Sequence, residues 1–92
     1  NLYSLAETPE GFLWLGTRAG LYRFDGRQAK RMAIQDGTRQ ASASIGGLHA
    51  ADGRLWIGGR DFAAVANAGS NGSFAFPRYQ VYPFGTGEAD RY

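Results

Sequence analysis

One seven-residue pattern occurs twice in this chain, as EGFLWLG at residues 10–16 and as DGRLWIG at residues 52–58. Each copy consists of an acidic residue, Gly, any residue, Leu, Trp, an aliphatic residue and Gly, and it contains one of the two tryptophans of the chain. A short chain that repeats itself this closely is expected to build the same supersecondary unit twice. At an offset of 42 residues the identities are Gly11 with Gly53, Leu13 with Leu55, Trp14 with Trp56, Gly16 with Gly58 and Arg18 with Arg60.

The residues around the first copy predict four short strands joined by tight turns. Apolar and polar residues alternate in NLYSL, whereas FLWLG is an almost continuous apolar run, which is typical of a strand covered on both faces. LYRF and the more charged AKRMAI are predicted as the third and fourth strands. The predicted turns are TPEG, which ends at Gly11, TRAG with Gly20 at a positive φ, and the pair Asp25-Gly26, a strong hairpin signal.

The second copy is predicted to follow the same plan less regularly. A small polar connector at residues 35–44 leads to the strands IGGLHA and RLWIGG, with a turn at Gly53 between them. The copies then diverge, because Phe62 stands where the first copy has Gly20. FAAVANA is predicted as the third strand, GSNGS as a loop, and FAFPRYQVYPF as a fourth strand broken by Pro77, which edge strands tolerate.

The period of 42 residues lies within the roughly 40–45 residues of a four-stranded β-propeller blade. The sequence therefore predicts an all-β chain of about two four-stranded antiparallel propeller blades, the first at residues 1–40 and the second, more divergent, at residues 41–92. Two blades cannot close a ring, which takes about 4–8 blades. We expect either a fragment of a larger propeller or several copies assembled into one, and the start at Asn1 rather than Met favours the fragment.

The stretch NLYSLAETPEGFLWLGTRAGLYRFDG resembles the two-component regulator propeller repeat, in which a strand is followed by D-x-x-G-x-L-W-[IL]-G-T, x-x-G-L, an aromatic residue and D-G. The match is dense over residues 2–26 and good again over residues 45–58. The resemblance implies the periplasmic sensor portion of a bacterial signalling protein anchored in the inner membrane, with a histidine kinase, hybrid two-component or diguanylate cyclase output outside this chain. The second copy departs from the family in having Gly59 where Thr is usual and in lacking the following Gly-Leu, which puts its second hairpin in doubt.

The composition argues against several other classes of protein. The net charge is only +2 and the ten basic residues are scattered, which argues against nucleic acid as a partner. The absence of Cys excludes disulfides and thiolate metal sites, and no run approaches the roughly 18 apolar residues of a membrane helix, so no membrane contact is expected within this chain. His49 is the single histidine and is expected to be a plain strand residue, so we expect no metal and no cofactor.

Arg18 and Arg60 are the candidate ligand-binding residues. They occupy equivalent turns of successive units, so the rotational symmetry of a propeller would bring them to the same face. Two guanidiniums arranged in this way could bind a carboxylate or a phosphate; the alternative is that both side chains are simply solvated. The ligand itself, a small molecule or a saccharide, is not identified by the sequence.

The other conspicuous residues have structural explanations. Trp14 and Trp56 stand in mid-strand between aliphatic residues, so we expect them to form core between blades rather than a sugar-stacking platform. Four acidic residues each precede a Gly in a turn, where such side chains bind the local backbone, and we do not expect them to be catalytic. These are Glu10, Asp25, Asp36 and Asp52.

The predicted function is therefore non-catalytic, as a sensor segment whose ligand shifts a two-state transmembrane element. One alternative is a protein-interaction propeller without a sensing role. In either case the expected protein contacts are the remaining blades of the parent propeller or self-association. Another alternative is a sialidase-like enzymatic propeller, whose repeat carries a leading Ser and a Thr before the Trp. Here Thr8 and Ala50 lead, and Leu13 and Leu55 precede the tryptophans, which argues against that alternative.

Overall fold

The computed structural model describes residues 2–37, 39–41, 44–69 and 72–84, and its regular structure is entirely β. Within those residues there is no helix long and apolar enough to cross a membrane. The strands are β1 (Leu2–Glu7), β2 (Leu13–Thr17), β3 (Gly20–Phe24), β4 (Ala29–Met32), β5 (Ile34–Asp36), β6 (Arg39–Ala41), β7 (Ile45–Ala51), β8 (Arg54–Gly59), β9 (Phe62–Asn67) and β10 (Arg78–Pro83).

Eight of these strands form two four-stranded antiparallel sheets. The first sheet has the order β1-β2-β3-β4 and the second the order β7-β8-β9-β10, so each sheet is a simple meander of consecutive strands. The prediction of an all-β chain with two four-stranded antiparallel sheets is confirmed. The last strand begins at Arg78, directly after Pro77, so it is shorter than predicted: residues 74–77, expected as the first half of a strand broken by the proline, form a turn instead.

The two sheets repeat each other even in an irregularity of the inner strand. The pairing of β1 with β2 skips a residue between Leu2 and Ser4, and the pairing of β7 with β8 skips one between Ile45 and Gly47. Leu2 therefore corresponds to Ile45 and Ser4 to Gly47 in the hydrogen-bonding register. This register defines equivalent positions in the two sheets independently of the heptapeptide.

The two sheets pack face to face, and a glycine sets how closely they approach. A Cβ on Gly16 would lie 2.9 Å from Ile45 Cγ2 and 3.1 Å from the Ile45 carbonyl oxygen, so this approach of β2 to β7 requires Gly. Beside it the backbone N–H of Leu48 donates to Ser4 Oγ at 2.9 Å. The corresponding glycine of the second heptapeptide, Gly58, is exposed.

The burial of β8 alternates, because only one of its faces is covered. Leu55 and Ile57 are buried against the first sheet, whereas Arg54, Trp56 and Gly58 are exposed on the other side. Nothing among the described residues packs on the outer face of β8, so within this chain the strand is covered on one face only. Cover on both faces, which was predicted for a strand between two blades, stays a prediction for β8.

The second hairpin turns at the equivalent place in each sheet, but its residues and backbone conformation differ. In the first sheet Thr17 Oγ1 donates to the Gly20 carbonyl oxygen at 2.8 Å, and Gly20 has the predicted positive φ, at 133°. In the second sheet Gly59 and Phe62 stand in those places. The buried Phe62 ring fills the space that a Cβ of Gly59 would need. The departure from the repeat is therefore a paired replacement, in which the missing side chain makes room for the ring.

The segment between the sheets differs from its prediction. The fourth strand of the first sheet ends at Met32, and β5 and β6 form a separate two-stranded sheet within the predicted connector. Asp36 Oδ2 accepts a hydrogen bond from the Val81 N–H of β10 at 3.3 Å, so β5 lies beside the outer strand of the second sheet. The predicted boundary between residues 40 and 41 falls inside β6, and the division into blades stays a prediction. Residues 38, 42 and 43 of the connector and residues 70 and 71 of the GSNGS loop lie outside the described residues.

Candidate functional site

A groove of about 400 Å³ lies between the β1–β2 turn and the β7–β8 turn. It is lined on one side by residues 7–9, on the other by residues 50–54, and by Phe74. Glu7, Asp52 and Arg54 give the groove two carboxylates and one guanidinium. This lining suits charge-assisted hydrogen bonds to a small polar molecule.

The β9–β10 loop of the second sheet reaches across to the first sheet and holds its first turn. The Glu10 carboxylate accepts hydrogen bonds from Ser73 Oγ at 2.8 Å and from the Phe74 backbone N–H. Ser73 Oγ in turn accepts the Ala75 N–H at 3.0 Å. The contact joins residues more than 60 positions apart in the sequence, so it connects one sheet to the other. We call Glu10, Arg23, Ser73, Phe74 and Ala75 the clamp.

Arg23 supplies the second half of the clamp from β3. Its Nη1 donates to the Phe74 carbonyl oxygen at 3.2 Å and to the Ala75 carbonyl oxygen at 2.6 Å. The guanidinium carbon lies 4.4 Å from the centre of the Phe12 ring, within cation–π distance. Arg23 was not among the residues predicted from the sequence. The signal that could have found it is a charge set between the aromatic residues of the predicted strand LYRF, because a charge in such a place needs partners if the strand is covered.

Trp14 lies next to the clamp and is completely buried. Its Nε1 donates to Thr8 Oγ1 at 3.1 Å, and its ring meets the Phe74 ring edge to face, with 6.3 Å between centroids. Thr8 is also buried, and its backbone N–H closes the β1–β2 turn by donating to the Phe12 carbonyl oxygen at 3.0 Å. The prediction that Trp14 belongs to the core between the sheets is confirmed.

Trp56 has a different environment from its equivalent. Its side chain is 44% exposed, and the counterpart of Thr8 is alanine, either Ala50 by the 42-residue offset or Ala51 by strand register, so no hydroxyl is offered to the indole there. It borders a shallow depression of about 160 Å³ together with Val65, Tyr82 and neighbouring polar residues. Trp14 is therefore core within this chain, whereas Trp56 lies on the open face of the second sheet, and its place between two blades stays a prediction.

Asp25 has the local role predicted for it. Its Oδ1 accepts the N–H groups of Gln28 at 3.0 Å and Arg27 at 2.8 Å, and Gly26 has a φ of 100°. These backbone hydrogen bonds, with that from Gln28 contributing most, hold the pKa of the Asp25 carboxyl below its ordinary value. Asp25 is therefore a turn residue rather than part of the groove.

Two other acidic residues do not have the predicted local role. The side chains of Glu10 and Asp36 bind backbone N–H groups of Phe74 and Val81, which belong to the second sheet and its loop. Tertiary packing supplies donors that the turn sequence does not reveal. The fourth acidic residue, Asp52, takes a left-handed backbone conformation with a φ of 54° at the edge of the groove.

Arg18 and Arg60 are exposed in the β2–β3 and β8–β9 turns. Because Gly16, at the end of β2, meets Ile45, at the start of β7, both arginines lie at the same end of the strands, opposite the groove. Their ligand role stays a prediction. His49 is exposed on β7 opposite Trp56, and in the part of the chain that the structure describes no group of His, Asp and Glu side chains is arranged to hold a metal ion.

The clamp is tested by removing the charge of Glu10. We expect Glu10→Gln to lower the free energy of unfolding by about 1 kcal/mol, because a neutral amide replaces a carboxylate that accepts two hydrogen bonds from the second sheet. The matched control is Asp52→Asn at the equivalent turn, which is exposed and should change stability by less than about 0.5 kcal/mol. Urea denaturation of the two variants measures both changes in the free energy of unfolding. Equal effects of the two substitutions would contradict the clamp.

The two ends of the strands therefore differ in character. One end carries the groove and the clamp, and the other carries the exposed arginine turns. Comparison of the chain with protein-family models, with curated proteins and with solved structures finds no match.

Proposed function

We propose that this chain is a non-catalytic segment of an extracytoplasmic β-propeller sensor, with its two sheets as consecutive blades at residues 1–40 and 41–92. The observation that carries the proposal is the equivalence of the sheets, which share the strand order, the skipped inner-strand residue and the position of the heptapeptide strand. Sheets repeated in this way are the units of propellers. The resemblance to the two-component regulator propeller repeat extends the proposal to bacterial periplasmic signalling.

In this proposal the chain binds a ligand and carries out no chemistry. Arg18 and Arg60 are exposed at the same end of two adjacent sheets. Their planar guanidiniums suit bidentate hydrogen bonds to carboxylate or phosphate, so the ligand is a small anionic molecule, which includes acidic saccharides. A ligand that bridges two blades favours one arrangement of those blades over another. That difference in affinity is what a sensor needs in order to shift its output.

A thermal-shift panel tests this function. Small dicarboxylates, sugar phosphates, uronic acids and neutral sugars are each added to the purified protein. A ligand present at 100 times its Kd stabilises the folded state by about 2.7 kcal/mol. For a domain of this size we expect such a ligand to raise the Tm by about 10 °C or more. The double variant Arg18→Ala/Arg60→Ala should abolish the shift, because it removes both guanidiniums from the turns.

The matched control is Arg27→Ala/Arg78→Ala, which removes the same charge from exposed positions at the opposite end of the strands. It should keep the shift. A panel that never changes the Tm, or a shift that survives in the Arg18/Arg60 variant, would contradict the proposed site. A panel without effect would favour the second candidate, a protein-interaction propeller. The exposed apolar residues of both sheets support that candidate.

A further inference from the structure

Each sheet leaves one face open, and exposed apolar side chains lie on it. The face of the first sheet that points away from the second sheet, here called the leucine face, carries the exposed Leu2 and Leu5 beside the partly buried Leu13, Leu15, Tyr22 and Phe24. The face of the second sheet that points away from the first, here called the tryptophan face, carries the exposed Trp56, Gly58, Gln80 and Tyr82 beside the partly buried Ala63 and the buried Val65. Contiguous exposed apolar surface on a small chain marks an interaction site.

Every position of the leucine face has an equivalent in the second sheet that is covered. Leu2 is 56% exposed, whereas its equivalent Ile45 is 1% exposed because it packs against Gly16. The remaining pairs follow from the same strand registers: Leu5 with Leu48, Leu13 with Leu55, Leu15 with Ile57, Tyr22 with Ala64 and Phe24 with Ala66. The second sheet therefore uses its own version of the leucine face to bind the first sheet.

The converse holds for the tryptophan face. Trp56 is exposed, whereas its equivalent Trp14 is completely buried by the second sheet and its loop. Gly58 is exposed, whereas Gly16 forms the close contact with Ile45. The first sheet therefore uses its own version of the tryptophan face to bind the second sheet.

We propose that the tryptophan face binds the leucine face of a second copy of this chain, head to tail. The interface between the two sheets already joins a face of each kind, and the two open faces are the same pair left unpaired on the outer sides of the two sheets. One pair of flanking charges is also opposite in sign. Arg54 lies beside the tryptophan face and Glu7 beside the leucine face, both at the groove end of the strands. This proposal uses strand register and burial alone and does not depend on the sensor function.

The contact is heterologous, because the two copies use different surfaces. Repeating it closes a ring if the rotation between sheets permits, and rings of this kind contain about four to eight sheets. Two to four copies supply that number. A depression of about 160 Å³ on the tryptophan face is available to receive a side chain of the neighbouring copy, and its lining is mixed: Trp56, Val65 and Tyr82 with Arg54, Asn67 and Gln80.

Native mass spectrometry and light scattering test the assembly. The wild-type protein should have a mass of about 20 to 40 kDa, two to four times the 10.0 kDa of one chain. Acrylamide should quench Trp56 less in the assembly than in a dissociated variant. A wild-type protein that stays a monomer at high concentration would overturn the proposal, and so would a monomer whose Trp56 fluorescence responds to added saccharides.

Two single variants distinguish head-to-tail pairing from other contacts. Trp56→Arg blocks the tryptophan face and Leu5→Arg blocks the leucine face, and both positions are largely exposed, so the fold should survive. Each variant alone should be a monomer. Mixed together they should form a dimer containing one copy of each, because each copy retains the face that the other lacks, and the dimer cannot grow further.

The matched control is Phe76→Lys, which removes the most exposed of the described aromatic side chains from a loop outside both faces and should keep the wild-type mass. If circular dichroism shows that Trp56→Arg is unfolded, Tyr82→Arg takes its place on the tryptophan face. If Leu5→Arg is unfolded, Leu2→Arg takes its place on the leucine face. A single variant that still assembles, or a mixture that stays monomeric, would contradict head-to-tail binding. The ligand panel can be run whether or not the protein assembles. A failure of the assembly proposal is therefore distinguishable from a failure of the proposed function.

Discussion

Trp14→Ala is expected to lower the free energy of unfolding by about 3–5 kcal/mol, the cost of removing a fully buried large aromatic side chain. Trp14 has no exposed surface, meets the Phe74 ring edge to face and donates its indole N–H to Thr8. Its removal leaves a cavity between the two sheets and deprives the buried Thr8 hydroxyl of a donor. The loss should appear as a lower urea midpoint in a denaturation curve followed by circular dichroism.

Trp56→Ala is the matched control, because Trp56 is the same residue at the same place in the second heptapeptide. It is about half exposed and should cost less than about 1.5 kcal/mol. Both substitutions are made in the Leu5→Arg chain, in which a second copy cannot cover Trp56. Similar costs at the two positions would mean that Trp56 is covered within a single chain. The conclusion that Trp14 is buried and Trp56 exposed would then be wrong.

Much of the fold could be predicted because its determinants are local in sequence. Asp25-Gly26 specifies a hairpin through hydrogen bonds to residues two and three positions on, and Gly20 has the positive φ that the turn needs. Because the heptapeptide recurs 42 residues later, the same arrangement of strands could be predicted for the second half of the chain. Eight strands followed from these signals, although both fourth strands are shorter than predicted and β5 and β6 lie where a connector was expected.

The candidate site was far less predictable, because its contacts join distant residues. The partners of Glu10 and Arg23 lie in the β9–β10 loop, 51 to 64 positions away in the sequence, and nothing near either residue identifies them. The exposure of Trp56 likewise depends on what lies beside the sheet and not on the local sequence. Sequence assigns equal environments to equivalent residues, but the last sheet of a stack has one face without a neighbour.

The paired replacement at the second hairpin leads to the other large effect. Gly59→Thr should lower the free energy of unfolding by about 3 kcal/mol or more, because the new Cβ falls within the Phe62 ring and the ring is buried in the core. The control is Gly58→Thr at the adjacent position. A Cβ there would have its nearest neighbour 3.8 Å away, so the cost should stay below about 0.5 kcal/mol. Urea denaturation of the Leu5→Arg chain again measures both.

A double-mutant cycle then tests whether Gly59 and Phe62 form one unit. Phe62→Gly alone should cost about 3–5 kcal/mol, since it empties the buried position of the ring. Gly59→Thr/Phe62→Gly restores the Thr-x-x-Gly arrangement of the first hairpin, in which Thr17 Oγ1 donates to the Gly20 carbonyl oxygen. We expect the double variant to be no less stable than Phe62→Gly alone, because the new side chain then has the space that the ring occupied. Costs that simply add would show that the two positions are independent, and the divergence of the second hairpin would then need another explanation.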